Sequence, residues 1–340
     1  MNIDNTNILI YDIETIKGYF LISFYNPELD KYYNFSINQY INELDDLLKF
    51  YELNEDKYFI GFNNLNFDQQ VIEYIIKNQD SLLQISSDKV TNSIWQFAQD
   101  IIEISNNGGF PPFREEYFTY KQIDLFKILH LDNKNKISGG SLKHMEYYMD
   151  MDIETFDFDH TQEILSEEEC NKLIYYCNHD VKATYELYKI VRGDTNNNIY
   201  KEKDQIGLRL DISSEFNINC LNYSEAKIGD EIFKHAYCNE INIKIKDLPK
   251  KGYFRKEIQL KNCIPSYIKF KTPQLQTLLK KIKNTSLKFK DNFEETFTFY
   301  NTKYTLAQGG IHSTNTFECY KEDNDNFLED EDVGLTYRLN

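Results

Sequence analysis

Three short acidic motifs, spread over residues 12 to 180, constrain most strongly what this 340-residue chain can fold into. The motifs are, in order, Asp12-x-Glu14, Asp68 and Tyr176-x-x-x-Asp180. A fold that uses all three must bring side chains from distant stretches into one pocket. We therefore expect strand ends and a flanking helix to meet at a common acidic site.

The first two motifs are each predicted at the end of a strand. NILIYDIET reads as a strand, and because side chains alternate along a strand, Asp12 and Glu14 point to the same face. Asp68 follows the apolar stretch KYFIGF and the polar turn NNLN, and it begins the helical pattern FDQQVIEYIIKN. The sequence therefore predicts Asp68 at a helix start beside a strand end.

The third motif lies in a predicted helix. Ser166 and Glu169 form a capping box that starts a helical run reaching Val191. Tyr176 and Asp180 are four residues apart, so they share one face of this helix. Taken singly, each motif is more often an ordinary surface or amphipathic feature, and only the conjunction favours a functional site.

The neighbouring patterns predict a β-rich start to the fold. Strands are expected at 7–14, 18–25, 31–37 and 57–62, with helices at 38–53 and 67–78. A further strand is predicted at 120–126 and contains Asp124, which is either another carboxylate near the site or a hydrogen-bonded structural residue.

Carboxylates in this number indicate metal-dependent phosphate chemistry. Two divalent cations flanking a scissile phosphate need oxygen ligands with enough negative charge to hold them, and one cation must acidify a water molecule. An all-oxygen ligand set favours two Mg²⁺ or Mn²⁺ ions. The sequence therefore predicts a two-metal nuclease.

The motifs YDIET, NNLNFD and YYCNHD resemble those of the DEDD-type 3′–5′ exonuclease domain in its tyrosine subclass, over about residues 7 to 192. In the histidine subclass a histidine stands five residues before the last aspartate, and here that position is Tyr175. More narrowly, the chain is similar to the exonuclease region of phage family B DNA polymerases. YSEAKIGDEIF and YTLAQGGIHSTNTF resemble segments between the exonuclease and the first polymerase motif of those enzymes.

The resemblance implies an α/β architecture with a ribonuclease-H-like fold, a mixed β-sheet flanked by helices, over residues 1–195. Residues 196–340 would form a smaller, polymerase-like α+β extension. Within it, residues 241–290 carry 14 Lys/Arg against 2 Asp/Glu, although the whole chain has a net charge of −17. This basic stretch is either a surface for nucleic acid or a set of solvated lysines around a small aromatic core. An acidic tail at 318–340 is expected to be exposed and mobile.

The resemblance also assigns roles to individual residues. It implies four metal ligands, which are Asp12, Glu14, Asp68 and Asp180. It also implies that Tyr176 orients the attacking water. Asn64 and Phe67 are candidates for binding the terminal nucleotides, Asn64 by a hydrogen bond and Phe67 by stacking. Phe67 could equally pack in the hydrophobic core. The substrate would be a single-stranded DNA 3′ end, and the products nucleoside 5′-monophosphates.

The last residues depart from the polymerase pattern. In those enzymes a segment like GGIHS is soon followed by an aspartate strand of the palm, whereas here DEDVG runs into LTYRLN. We therefore expect the proofreading part of a split or truncated phage polymerase, without polymerase activity of its own. A separate polymerase polypeptide is then a candidate partner.

Two alternatives stay open at this point. One is a stand-alone DNA or RNA exonuclease of the same subclass, and the other is a non-catalytic nucleic-acid-binding or docking subunit with vestigial acidic positions. No apolar run approaches the ~18 residues of a membrane helix, and the first residues lack a signal-peptide pattern. The six cysteines form no Cys-x-x-Cys pair. We therefore expect a cytoplasmic protein with buried free thiols and no membrane partner.

Overall fold

The computed structural model of the protein describes residues 3–129, 140–154, 166–193, 204–248, 255–288, 291, 293–299, 302–307 and 310–313. Contacts between residues divide the chain into two units, Met1–Asp247 and Leu248–Asn340. The two helices that follow residue 204 therefore belong by their contacts to the first unit. The predicted functional boundary at residue 195 stays a prediction.

Five strands form one mixed sheet in the first unit. They are β1 (Ile8–Ile16), β2 (Tyr19–Asn26), β3 (Lys31–Ile37), β4 (Tyr58–Gly61) and β5 (Lys121–Asp124). The order across the sheet is β3-β2-β1-β4-β5, with antiparallel pairing on the β2 side of β1 and parallel pairing on the β4 side. This arrangement is compatible with a ribonuclease-H-like fold.

Helices cover both faces of the sheet. They are α1 (Leu44–Leu53), α2 (Asp68–Lys77), α3 (Gln79–Leu82), α4 (Ser87–Asn106), α5 (Leu125–Ile128), α6 (Leu142–Tyr148), α7 (Glu167–Val191), α8 (Gln205–Phe216) and α9 (Glu225–Glu240). Buried side chains of α1, α2 and α4 form one core with the sheet. Those of α5, α7 and α8 form a second core with its opposite face. No helix in the described part of the chain is both long and apolar enough to cross a membrane.

Strand β1 divides its side chains between these two cores. Leu9, Tyr11 and Ile13 belong to the core under α1, α2 and α4. Ile8 and Ile10 belong to the core under α7, and Ile16 packs with other side chains of that helix. Because side chains alternate along a strand, the carboxylates at positions 12 and 14 lie on the α7 face, between these isoleucines.

The second unit contains helix and strand in its described residues. Its elements are β6 (Glu257–Gln259), α10 (Pro273–Lys283), β7 (Ser286–Lys288), β8 (Glu294–Phe299), β9 (Thr302–Ala307) and β10 (Gly310–Ser313). β6 pairs with β7, and β8, β9 and β10 form an antiparallel sheet. The expected acidic tail at 318–340 lies outside the described residues, and the role of the basic stretch stays a prediction. Of the cysteines in the described residues, four are buried free thiols, as expected, whereas Cys263 is exposed.

A glycine at the end of β4 sets the position of the loop that leads to Asp68. A Cβ atom added at Gly61 would lie 2.7 Å from the Cβ atom of Asn64, closer than side chains approach one another. Gly229 in helix α9 has open space around it. The two positions therefore form a matched pair for substitution by alanine.

We expect Gly61→Ala to lower the free energy of unfolding by about 1–3 kcal/mol, because the added methyl group overpacks a closed loop. Gly229→Ala should leave it unchanged or raise it by up to about 1 kcal/mol, because alanine favours helix over glycine. Denaturant unfolding of both variants beside the parent protein measures the difference. Equal effects at the two positions would contradict the close packing at Gly61.

Candidate functional site

Three carboxylates from two elements meet on the α7 face of the sheet. Asp12 and Glu14 on β1 and Asp180 on α7 each offer an oxygen atom, and these atoms all lie within 4.8 Å of one another. The sequence predicted that Asp12 and Glu14 lie on one face of a strand and that Asp180 lies on a helix. The structure thus brings together three of the four predicted metal ligands.

Apolar packing holds α7 against β1 beside these carboxylates. Leu173 and Cys177 on α7 are buried against Ile16 and its neighbours on β2. The Cys177 sulfur lies 3.6 Å from the backbone oxygen of Asp12. A small thiol at this contact lets the helix approach the strand, and Asp180 follows one turn later on the same helix.

Asp68 reaches the site from a different direction. The parallel pairing between β1 and β4 ends at Ile10, because β4 stops at Gly61. Beyond that point the backbone N–H of Ile13 donates a hydrogen bond to the Asp68 carboxylate at the start of α2. Asp68 is outside the group of three within 4.8 Å, but its charge raises the pKa of both β1 carboxylates.

Burial raises the pKa of every carboxylate in this site, and mutual repulsion adds to it for Asp12 and Glu14. Burial, followed by repulsion from Asp180 and Asp68, raises the pKa of Glu14 to about 8. The same two causes raise the pKa of Asp12 well above its usual range. Burial raises the pKa of Asp68 to about 7. The pocket therefore favours any group that brings positive charge to it.

Tyr176 lies beside the carboxylates, one turn before Asp180. Its hydroxyl hydrogen-bonds to Asp180, and burial together with repulsion from nearby carboxylates raises its pKa. The hydroxyl therefore stays protonated at neutral pH and can donate a hydrogen bond. The preceding Tyr175 is 63% exposed, and its hydroxyl donates to Glu154 at 3.4 Å.

Lys143 on α6 is a site residue that sequence reasoning missed. Its ammonium nitrogen lies 2.5 Å from Asp180 Oδ1 and 3.2 Å from Glu146 Oε1. It also lies 4.6 Å from the ring centroid of Tyr176. The spacing of Lys143 and Glu146 predicts only an exposed pair on one helix, so nothing in the sequence pointed to Asp180.

The two side chains predicted to contact substrate, Asn64 and Phe67, instead contact other residues of the protein. Asn64 is fully buried, and its side-chain nitrogen donates to Tyr11 at 3.2 Å and to Gln122 at 2.9 Å. Its side-chain oxygen has no hydrogen-bond partner among the described residues. Phe67 packs against the core, in line with the second role considered for it. Contact of either side chain with a nucleotide stays a prediction.

Asp124 organises the loop before Asp68. Its carboxylate accepts hydrogen bonds from the backbone N–H groups of Asn63, Leu65 and Phe126, at 2.9, 3.4 and 3.0 Å. The side chain is fully buried, and burial raises its pKa to about 6. These bonds support the structural role for Asp124.

The donor set fits divalent cations. Asp12, Glu14 and Asp180 lie together, and Asp68 is near enough to raise the pKa of the two β1 carboxylates. With the ammonium group of Lys143 beside Asp180, acidic groups outnumber basic ones four to one among these five residues. All the donor atoms are oxygens, the ligands that Mg²⁺ and Mn²⁺ prefer. Electrostatics and donor chemistry therefore agree, although they do not choose between the two metals.

Comparisons with known proteins give structural likenesses but no family. No family model matches the chain, and no curated protein matches it. Among solved structures, the chain is similar to the family B DNA polymerase from the hyperthermophilic archaeon Pyrobaculum calidifontis, with 15% sequence identity and a TM-score of 0.35. The match covers 55% of this chain and 25% of the polymerase chain. A likeness this weak carries no argument about function.

The raised pKa values predict how stability depends on pH when no metal is bound. A carboxyl group whose pKa is raised in the folded state binds a proton more tightly there than in the unfolded chain, so its contribution to stability falls as pH rises. For Glu14 the fall spans the range from its ordinary value of 4.5 to about 8. In a chelating buffer, the melting temperature should therefore decrease between pH 5 and pH 8.

The isosteric double variant Asp12→Asn/Glu14→Gln should melt at least about 2–4 °C above the parent protein at pH 8 in chelator, with a smaller difference at pH 5. Millimolar Mg²⁺ at pH 8 should raise the melting temperature of the parent protein and not that of the variant. If the melting temperature of the parent protein changed with neither pH nor Mg²⁺, the inference that these carboxylates repel one another would be wrong.

Proposed function

We propose that this chain is a metal-dependent 3′–5′ exonuclease that hydrolyses single-stranded DNA ends to nucleoside 5′-monophosphates. The observation that carries the proposal is the meeting of Asp12, Glu14 and Asp180 on one face of the sheet, with Tyr176 hydrogen-bonded to Asp180. A pocket of this charge suits phosphodiester hydrolysis, because that reaction needs cations beside the phosphate.

The residues that would hold two Mg²⁺ or Mn²⁺ ions are Asp12, Glu14, Asp68 and Asp180. When bound, such ions would acidify a water molecule and neutralise charge on the scissile phosphate. The chain's own contribution is to keep these carboxylates close together and partly shielded from bulk water. Lys143 opposes the effect of burial on Asp180, because its positive charge favours the ionised carboxylate, although burial still leaves the pKa of Asp180 raised.

Tyr176 would orient the attacking water. Its hydroxyl is a hydrogen-bond donor at neutral pH, since nearby negative charge opposes its ionisation. The Lys143 ammonium over its ring and the bond to Asp180 hold the side chain in one orientation. A positioned donor of this kind acts through geometry and does not need to transfer a proton.

The substrate contacts proposed for Asn64 and Phe67 require a change in the loop that carries them. Asn64 is engaged with Tyr11 and Gln122, and Phe67 packs on the core. In this arrangement both side chains support the loop before Asp68. A direct contact with the terminal nucleotide would follow only if that loop opens.

We further propose that the chain supplies the proofreading part of a phage DNA polymerase. The support is the sequence resemblance of the three motifs and of YSEAKIGDEIF and YTLAQGGIHSTNTF. The exonuclease part would be residues 1–195, with a separate polymerase polypeptide as its partner in the host cytoplasm.

Removal of two metal ligands tests the nuclease proposal. Asp12→Ala/Glu14→Ala should lower Mg²⁺-dependent digestion of a 5′-labelled single-stranded DNA by about 10³-fold or more, because the remaining carboxylates cannot hold the ions. The control Asp45→Ala/Asp46→Ala removes two exposed carboxylates from α1 and should digest at the parent rate. Digestion products resolved by length measure the rate and the direction.

Undiminished digestion by Asp12→Ala/Glu14→Ala in a preparation free of other nucleases would refute the proposal. A matched RNA strand tests the substrate. Faster digestion of RNA than of DNA would contradict the DNA assignment and leave the nuclease assignment standing.

Adjacent tyrosines allow a sharper test of the tyrosine role. Tyr176→Phe should lower kcat by about 10- to 100-fold with little change in KM, because it removes a positioned donor and leaves the ring in place. Tyr175→Phe removes an exposed hydroxyl from the same helix and should leave both constants unchanged. Equal kinetics for the two variants would contradict an orienting role for Tyr176.

A further inference from the structure

A second group of potential metal ligands lies beside the carboxylate pocket. Glu146 on α6 and His179 and Asp180 on α7 offer ligand atoms that all lie within 4.8 Å of one another. Only Asp180 is shared with the proposed nuclease site. This group differs in kind, since it includes an imidazole nitrogen.

Two buried atoms in this group have no hydrogen-bond partner among the described residues. The side chain of Glu146 is fully buried; its Oε1 accepts from Lys143, but its Oε2 has no partner in the described part of the chain. The same holds for the buried His179 Nε2. A buried polar atom left unsatisfied costs about 1–3 kcal/mol, so two such atoms facing each other indicate a missing third group.

The distance between these atoms limits what that third group can be. Glu146 Oε2 and His179 Nε2 are 3.8 Å apart, beyond a direct hydrogen bond. A metal ion ~2.1 Å from each atom spans this 3.8 Å gap at an angle of about 130°. A carboxylate oxygen and an imidazole nitrogen are both ligands of divalent transition metals. A single cation would therefore satisfy both atoms at once.

Lys143 leaves room for such an ion. Its ammonium contacts Glu146 Oε1 and Asp180 Oδ1, whereas the unbonded atom of the glutamate is Oε2, on the side of His179. One ammonium also leaves one negative charge of the two carboxylates unmatched. Charge and position therefore both permit a dication between Glu146 and His179.

We propose that Glu146, His179 and Asp180 form a binding site for a transition-metal dication of the Zn²⁺ class. A nitrogen donor suits Zn²⁺ or Co²⁺ better than Mg²⁺, which prefers oxygen ligands throughout. The bound ion would join α6 to α7 and so fix Lys143 against Asp180. The site can exist whether or not the chain is a nuclease, because Asp180 is the only residue that the two sites share.

Cobalt binding in a chain without the β1 carboxylates isolates this site. In the Asp12→Ala/Glu14→Ala protein, titration with Co²⁺ should produce a visible absorption band with one ion bound per chain. Zn²⁺ should displace the Co²⁺ and raise the melting temperature. His179→Ala added to this protein should weaken Co²⁺ binding by about 100-fold or more. The control His144→Ala removes an exposed histidine of α6 and should leave binding unchanged.

Glu146→Gln provides a second variant that keeps the shape of the side chain, and circular dichroism confirms that each variant is folded. Co²⁺ affinity that is equal with and without His179 would overturn the proposal, as would the absence of a visible band in the Asp12→Ala/Glu14→Ala protein. Either result would show that Glu146 and His179 do not bind a metal ion together. The outcome is independent of nuclease activity, so failure of this site and failure of the proposed function are distinguishable.

Discussion

Crowding of half-buried carboxylates is the constraint on which the first unit depends. A sheet strand at the centre of a fold normally carries apolar side chains on both faces, yet β1 carries Asp12 and Glu14 between isoleucines on its α7 face. Desolvation of these carboxylates opposes folding unless positive charge reaches them. The surrounding apolar packing must therefore stabilise a pocket that is unfavourable by itself, as is common where a site serves function.

The architecture meets this constraint with short elements and local hydrogen bonds. β4 ends after four residues, which frees the backbone of Ile13 to bond Asp68. Asp124 accepts three backbone bonds and fixes the loop between β4 and α2. On the other side, α7 is 25 residues long, and its packing against β1 and β2 aligns Tyr176 and Asp180 with the strand.

Much of this arrangement could be predicted from local sequence. The alternation in β1 and the capping box before α7 are confirmed, because each depends on neighbouring residues alone. The helix predicted at 38–53 begins only at Leu44, since Asn38 Oδ1 bonds the backbone N–H groups of Tyr40 and Ile41 and holds a turn there. The strand predicted at 120–126 ends at Asp124, because that side chain caps α5.

Contacts between distant elements could not be predicted in the same way. Lys143 and Glu146 read as an ordinary helix pair, and His179 is off the expected catalytic position, so their meeting with Asp180 depends on how α6 packs on α7. Likewise, Asn64 looked free to bind a nucleotide, whereas the structure buries it against Tyr11 and Gln122. A single sequence gives the side chains and their local geometry but not these tertiary neighbours.

The most direct measurement of the central claim is the position of bound cations in crystals soaked in Mn²⁺. The account predicts anomalous-scattering peaks in contact with the carboxylates of Asp12, Glu14 and Asp180, which are lost when Asp12 and Glu14 are replaced by alanine. Peaks elsewhere with none among these carboxylates, or carboxylates that point apart in the soaked crystal, would contradict it.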